Sequence, residues 1–70
     1  MHGGLSVKTY YCVVTSYDDY GRVTSAIVAA RTAKKKPKST YKSTARKDIY
    51  TDWFCGLDEA KQYVREALSA

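Results

Sequence analysis

The sequence predicts an α+β fold in which one C-terminal helix packs on one face of a three-stranded antiparallel sheet, in the order β-β-β-α. Three observations predict this class. Two stretches rich in Val, Thr and Tyr are joined by a turn, which is typical of a hairpin. A short aromatic stretch follows later, and the end of the chain has the apolar spacing of a helix. We expect residues 1–70 to form a single small domain.

The first two predicted strands form a hairpin. Residues 7–17 (VKTYYCVVTSY) and 22–32 (RVTSAIVAART) have strand composition, and residues 18–21 supply Asp side chains that can bond nearby backbone amides. Gly21 can adopt the positive φ that a tight turn needs. Small side chains in the second strand leave space for a helix to cross the sheet, namely those of Ala26, Ala29 and Ala30.

Residues 33–47 are predicted to be an irregular basic loop between the second and third strands. Pro37 and the Ser and Thr residues around it disfavour a continued strand. Loops longer than about 12 to 15 residues are usually functional or disordered, so the length of this loop favours a function. Residues 48–54 (DIYTDWF) then predict the third strand, with Trp53 and Phe54 in the core.

The helix is predicted to begin after Gly56 and to end near Ser69. Gly56 takes the N-cap position, and Asp58 and Glu59 place acidic groups in the first turn. One face of the helix is apolar and consists of Leu57, Ala60, Val64, Ala67 and Leu68. This helix can cover one face of the sheet, which leaves the other face open.

The first strand has apolar side chains on both of its faces, so alternation does not decide which face the helix covers. One set is Tyr10, Cys12 and Val14, and the other is Tyr11, Val13 and Tyr17. In either case we expect one or two tyrosines to be exposed on the open face.

Nothing in the sequence indicates an enzyme. Cys12 and Cys55 have no second Cys or His close by in sequence, which excludes a CxxC zinc site, and we expect both to be buried thiols. Asp18 and Asp19 are expected to form the turn, because no further ligands or catalytic groups are predicted to converge on them. We therefore predict no catalytic residue, no metal ligand and no cofactor.

The N-terminal residues show no secretory signal. The segment Met1-His2-Gly3-Gly4 lacks a charged region followed by an apolar run, and no stretch approaches the roughly 20 apolar residues of a membrane span. We therefore expect a cytoplasmic protein that does not bind membranes. Residues 1–6 are expected to be flexible, and His2 is expected to have no role.

The net charge of +5 is concentrated in one segment. Eight of the 12 Lys and Arg residues lie within 31–47, where no acidic residue interrupts them. The rest of the chain has four basic and seven acidic residues, four minus seven, and so carries −3. Such a local concentration of positive charge attracts polyanions, and phosphate backbones are the commonest target of this kind.

Nucleic acid is therefore the predicted partner, with DNA expected ahead of RNA. The predicted phosphate contacts are Arg31, Lys34, Lys35, Lys36, Lys38, Lys42, Arg46 and Lys47. Tyr41 lies among them with no apolar neighbour in sequence, so we predict that it also contacts the ligand. Two other interpretations of the basic segment are open. In one it binds an acidic protein surface, and in the other it is a solvated segment that keeps the protein soluble.

Two motifs carry a resemblance to a known family. They are the hairpin KTYYCVVTSYDDYGRVTSAIV, with its aromatic strand and glycine turn, and the ending WFCGLDEAKQYVREAL. Together with the order of elements, they resemble the N-terminal DNA-binding domain of tyrosine integrases from conjugative transposons and phages, over Lys8 to Leu68. In that family the open sheet face enters the major groove. The resemblance implies DNA contacts by Arg22, Thr24 and the loop lysines.

Val and Ala occupy strand positions where a protein that reads base edges would carry Arg, Asn or Gln, so we expect weak sequence specificity. From the resemblance and the weak specificity, we expect the protein to be a small accessory factor of a phage or mobile element. The alternative is a protein-interaction module, for example an inhibitor of a host protein. It would act through the open sheet face or a strand edge, as a monomer or a homodimer.

Overall fold

The structure is a computed structural model that describes residues 7–69. Its elements are β1 (Lys8–Asp18), β2 (Val23–Ala33), β3 (Thr40–Ser43), β4 (Lys47–Phe54) and α1 (Leu57–Ser69). The strands form one antiparallel sheet in the order β2-β1-β4-β3. The α+β class, the antiparallel sheet and the C-terminal helix are confirmed. Residues 1–6, which were predicted to be flexible, and His2 among them lie outside the described residues.

The sheet has four strands where the sequence predicted three. The additional strand, β3, lies inside the predicted loop 33–47 and pairs with β4, with Tyr41 opposite Tyr50. The rings of these two residues pack with their centroids 4.9 Å apart, which stabilises a strand of only four residues. Pro37 precedes β3 and therefore removes no hydrogen bond from the sheet. The irregular part of the segment is limited to residues 34–39 and the turn 44–46.

The turn between β1 and β2 has the predicted chemistry. Gly21 has a φ of 80°, in the region that favours glycine. The carboxylate of Asp18 accepts hydrogen bonds from the backbone N–H groups of Tyr20 and Arg22, at 2.9 and 2.8 Å. Asp18 is thus a turn former, as predicted.

The contacts of α1 decide which face of the sheet it covers. The helix packs mainly against β2 and β1, and the Tyr63 hydroxyl donates a hydrogen bond to Asp52. Asp52 lies opposite Val13 in the sheet, and directly opposed residues share a face. The odd-numbered side chains of β1 therefore point to the helix. We call this the helix face; it carries Tyr11, Val13, Thr15 and Tyr17.

The opposite side, the open face, carries the even-numbered residues of β1, namely Tyr10, Cys12, Val14 and Ser16. Val13 and Thr15 on the helix face are fully buried, as is Ala60 of α1. The main core therefore lies between the sheet and the helix.

The tyrosines expected to be exposed on the open face lie elsewhere. Tyr17, Tyr41 and Tyr50 are 38%, 57% and 37% exposed and lie on the helix face. Tyr20 is exposed in the turn, whereas Tyr10 on the open face is only 6% exposed. The expectation was wrong because the open face of β1 carries Tyr10 alone of the tyrosines, and Tyr10 is buried.

Two other burial predictions also need correction. Trp53 and Phe54, expected in the core, are half-buried and point to opposite faces, because they are consecutive residues of one strand. Cys12 is buried as predicted, but Cys55 is exposed in the short connection between β4 and α1. The Cys55 thiol donates to a carboxylate oxygen of Glu59 at 3.7 Å.

The six residues from Lys34 to Ser39 form a crossover between opposite edges of the sheet. Because β2 and β3 are the two edge strands, the crossover has to pass β1 and β4. Lys36 lies 6.0 Å from the ring centroid of Phe54, and Pro37 is half-buried. The crossover is thus held at the end of the sheet where β4 stops.

Candidate nucleic-acid interface

The charged side chains of the strands are sorted between the two faces. Every Lys and Arg within a described strand points to the open face: Lys8, Arg31, Lys42 and Lys47. Of the strand carboxylates, Asp48 and Asp52 are on the helix face, and only Asp18 is on the open face. This sorting follows from the two-residue period of a strand combined with the register of the sheet.

Six basic residues gather at the end of the sheet where the crossover leaves β2. We call this group the cationic end; it consists of Lys8, Arg31, Lys34, Lys35, Lys36 and Lys38, all exposed. The crossover itself contains no acidic residue. The next carboxylates along the chain after β4, those of Asp58 and Glu59, belong to the first turn of α1.

Two cation–π contacts attach the cationic end to aromatic side chains. The guanidinium carbon of Arg31 lies 5.6 Å from the ring centroid of Trp53, and the Lys36 ammonium lies 6.0 Å from that of Phe54. Each contact of this type contributes about 0.5 to 1 kcal/mol at an exposed site. The aromatic residues of β4 thus position part of the positive charge.

The opposite end of the sheet, the turn end, holds three of the other predicted contacts: Arg22, Arg46 and Lys47. The two turns there touch, since the backbone N–H of Asp19 donates to the carbonyl of Arg46 at 3.2 Å. Asp18 and Asp19 lie beside these basic groups and offset much of their charge. Ten residues of β1 separate the two ends, about 33 Å of extended strand.

The remaining predicted contacts lie between the ends or on the other face. Thr24 and Lys42 are on the open face, on the edge strands β2 and β3, and the Thr24 hydroxyl is hydrogen-bonded to that of Ser16. Tyr41 is on the helix face, where its hydroxyl donates to Asp48 at 2.9 Å. The structure therefore groups Arg31 with the crossover lysines, and it separates Tyr41 from them.

Sequence reasoning missed two residues of this surface. Lys8 belongs to the cationic end because it lies opposite Ala33, where the crossover begins. Trp53 was assigned to the core, yet it lies on the open face below Arg31. The sequence contained no signal for either position, because both depend on the register between strands.

Three titratable groups among residues 7–69 have raised pKa values, and all three are therefore neutral at neutral pH. Burial, and then the charge of Asp52, raises the pKa of the Cys12 thiol. Burial also raises the pKa of Tyr50, followed by the effects of Tyr41 and Asp48, and burial and Asp52 raise the pKa of Tyr63. None of these shifts produces a reactive nucleophile.

Among residues 7–69, no three His, Cys, Asp or Glu side chains converge to form a metal site. The described part of the chain also contains no helix with the length and apolar character needed to cross a membrane. Comparisons of the chain with protein-family models, with curated proteins and with solved structures find no match. The candidate interface therefore rests on its own geometry and charge.

Proposed function

We propose that this protein binds nucleic acid, most readily DNA, through the cationic end and the adjoining open face. The sorting of charge supports this proposal, because the four Lys and Arg residues of the described strands share the open face, and two of them, Lys8 and Arg31, belong to the cationic end. A surface of this kind neutralises phosphates and releases their counterions. No catalytic step is proposed.

The strength of the interaction depends on the number of phosphates that the cationic end neutralises. Six basic groups are available there, and neutralising six phosphates of a duplex gives a slope of about −5 in a plot of log affinity against log salt concentration. The turn end should contribute less, because Asp18 and Asp19 repel phosphate beside Arg46 and Lys47.

Sequence specificity should be weak. The middle of the open face consists of small or uncharged residues, namely Val14, Ser16, Thr24, Ala26, Ile49 and Thr51. None of these offers the bidentate pairing by which Arg, Asn or Gln distinguishes one base pair from another. The role as an accessory factor of a phage or mobile element remains a prediction that rests on the integrase resemblance.

Fluorescence anisotropy of labelled duplex DNA and of labelled single-stranded RNA tests the proposal directly. We expect micromolar or tighter binding that weakens steeply as salt is raised through physiological ionic strength. A labelled single-stranded DNA of the same length as the RNA ranks DNA against RNA. A protein that binds neither polymer at low salt would contradict the proposal.

A protein-interaction role is the second candidate, and the exposed tyrosines favour it. Tyr17, Tyr41 and Tyr50 form a continuous aromatic patch on the helix face, with ring centroids 5.8 and 4.9 Å apart. The patch adjoins β3, an edge strand that could pair with another chain.

Sedimentation over a range of concentrations, with and without candidate partners, tests this second role. A homodimer that dissociates in a Tyr50→Ser variant, but not in a Tyr20→Ser control, would favour it. A monomer that keeps full nucleic-acid affinity in both variants would favour the first role.

A further inference from the structure

We infer that Arg31, supported by Trp53, forms a stacking site for an unpaired nucleobase, so that the preferred ligand is a single-stranded nucleic acid. This inference rests on the proposed function and deepens it. It concerns the cationic end, where the other basic residues are lysines. Lysine can neutralise a phosphate, but only arginine has a planar group that stacks on a base.

The first support is the position of the pair. Arg31 lies opposite Tyr10, and Trp53 lies opposite Cys12, so the two occupy neighbouring rows of the open face. The guanidinium carbon lies 5.6 Å from the indole centroid. Trp53 is half-buried while Arg31 is exposed. The indole therefore restrains the guanidinium, whose outer side remains accessible to a ligand.

The second support is the open space beside the pair. Ala29 lies opposite Cys12 and Ala26 lies opposite Val14, so both alanines are on the open face. Residues three apart in a regular strand would point to opposite faces. The register shift at Cys12 and Val13 leaves Val28 as an extra residue of β2, and this bulge brings both alanines to one face. The result is a shallow area of small side chains on β2, next to Arg31 and separated from Trp53 by Cys12 of β1.

The third support is the surrounding charge. The crossover lysines continue directly from the end of β2, only a few residues after Arg31. A base that stacks on Arg31 would thus have its backbone phosphates within a cationic region. Bases of an intact duplex are already stacked on their neighbours, so only an unpaired or flipped base can use this site.

Trp53 is the only tryptophan of the chain, so its fluorescence reports on this site. The protein is titrated with oligothymidylate and oligouridylate of about 12 nucleotides, and with a duplex of the same length. We expect both single strands to bind more tightly than the duplex and to change Trp53 emission more strongly.

Two matched variants separate stacking from charge. Arg31→Lys keeps the positive charge but removes the planar group, and we expect it to weaken single-strand binding about fivefold or more. Its effect on duplex binding should be small. Lys38→Ala removes one charge away from Trp53, and we expect it to weaken single-strand and duplex binding to the same degree.

The outcomes distinguish this inference from the proposed function. The inference of a stacking site is contradicted if Arg31→Lys binds single strands as tightly as the unmodified protein, or if the duplex is the tighter ligand. In both cases the proposed binding of nucleic acid is still supported. If no nucleic acid binds at low salt, the proposed function itself fails.

Discussion

The hydroxyl of Tyr63 in α1 donates a hydrogen bond of 3.1 Å to the carboxylate of Asp52 in β4. The same tyrosine ring packs against Phe54, with centroids 5.0 Å apart. Asp52 lies opposite the fully buried Val13. One side chain of the helix thus links it to the central strands, and this link identifies the covered face of the sheet.

We predict that stability falls at alkaline pH, in part because of Tyr63. Burial first, and then Asp52, raises the pKa of Tyr63 in the folded protein, whereas an unfolded tyrosine has a pKa of about 10. Above about pH 10 the unfolded chain loses this proton first, so stability is full below that pH and is lost as pH rises through the folded pKa. The pKa of Tyr50 is raised as well, so Tyr50 contributes to the same decline.

Urea unfolding between about pH 8 and pH 11 tests this prediction in a Tyr63→Phe variant. The free energy of unfolding of the variant should be lower by about 1 kcal/mol at the low end of this range, because Asp52 loses a hydrogen-bond donor, and it should decline less steeply at alkaline pH. Tyr20→Phe, at a highly exposed position, is the control. Equal alkaline slopes for Tyr63→Phe and the unmodified protein would contradict the assigned cause.

The two cysteines should differ in their reaction with a thiol reagent. Cys12 is buried and its pKa is raised, so it is mostly protonated and inaccessible, whereas Cys55 is exposed. We expect one fast and one slow thiol at neutral pH. Cys55→Ser should remove the fast phase and Cys12→Ser the slow phase. In denaturant both thiols should react quickly, and two fast phases in the native protein would contradict the burial of Cys12.

Replacement of Gly21 should weaken the hairpin. Its φ of 80° is unfavourable for a residue with a side chain, although the space around it is open. We expect Gly21→Ala to destabilise the protein by about 1 kcal/mol. Asn tolerates this backbone region better, so Gly21→Asn should cost less. Equal urea midpoints for both variants and the unmodified protein would show that the turn does not need this conformation.

Removal of charge at the two ends of the sheet should have unequal effects. Lys34→Gln with Lys36→Gln should reduce the magnitude of the salt slope by about two. Arg46→Gln with Lys47→Gln removes the same charge at the turn end. This pair should reduce the magnitude of the salt slope less, because Asp18 and Asp19 already oppose binding there. An equal reduction in DNA titrations would instead show that both ends contact the ligand.

Local sequence signals determined the hairpin, its turn and the helix of this protein. Residues 7–17 and 22–32 have strand composition, Gly21 suits the turn, and the apolar spacing after Gly56 suits a helix. The concentration of charge in residues 31–47 was equally visible, because it is a property of composition. Each of these features depends on residues close together in the chain.

The tertiary structure alone decided that the additional strand β3 forms, which face of the sheet the helix covers, and how the basic residues are grouped. Strand β3 consists of only four residues, all of them exposed, and it forms because it pairs with β4. The register of that pairing places Tyr41 on the helix face and Lys42 on the open face, and the bulge at Val28 brings Ala26 and Ala29 to the same face. Strand register depends on pairing between distant segments, and a shift of one residue would exchange the two faces. A sequence with apolar residues on both faces of β1 cannot specify that choice locally.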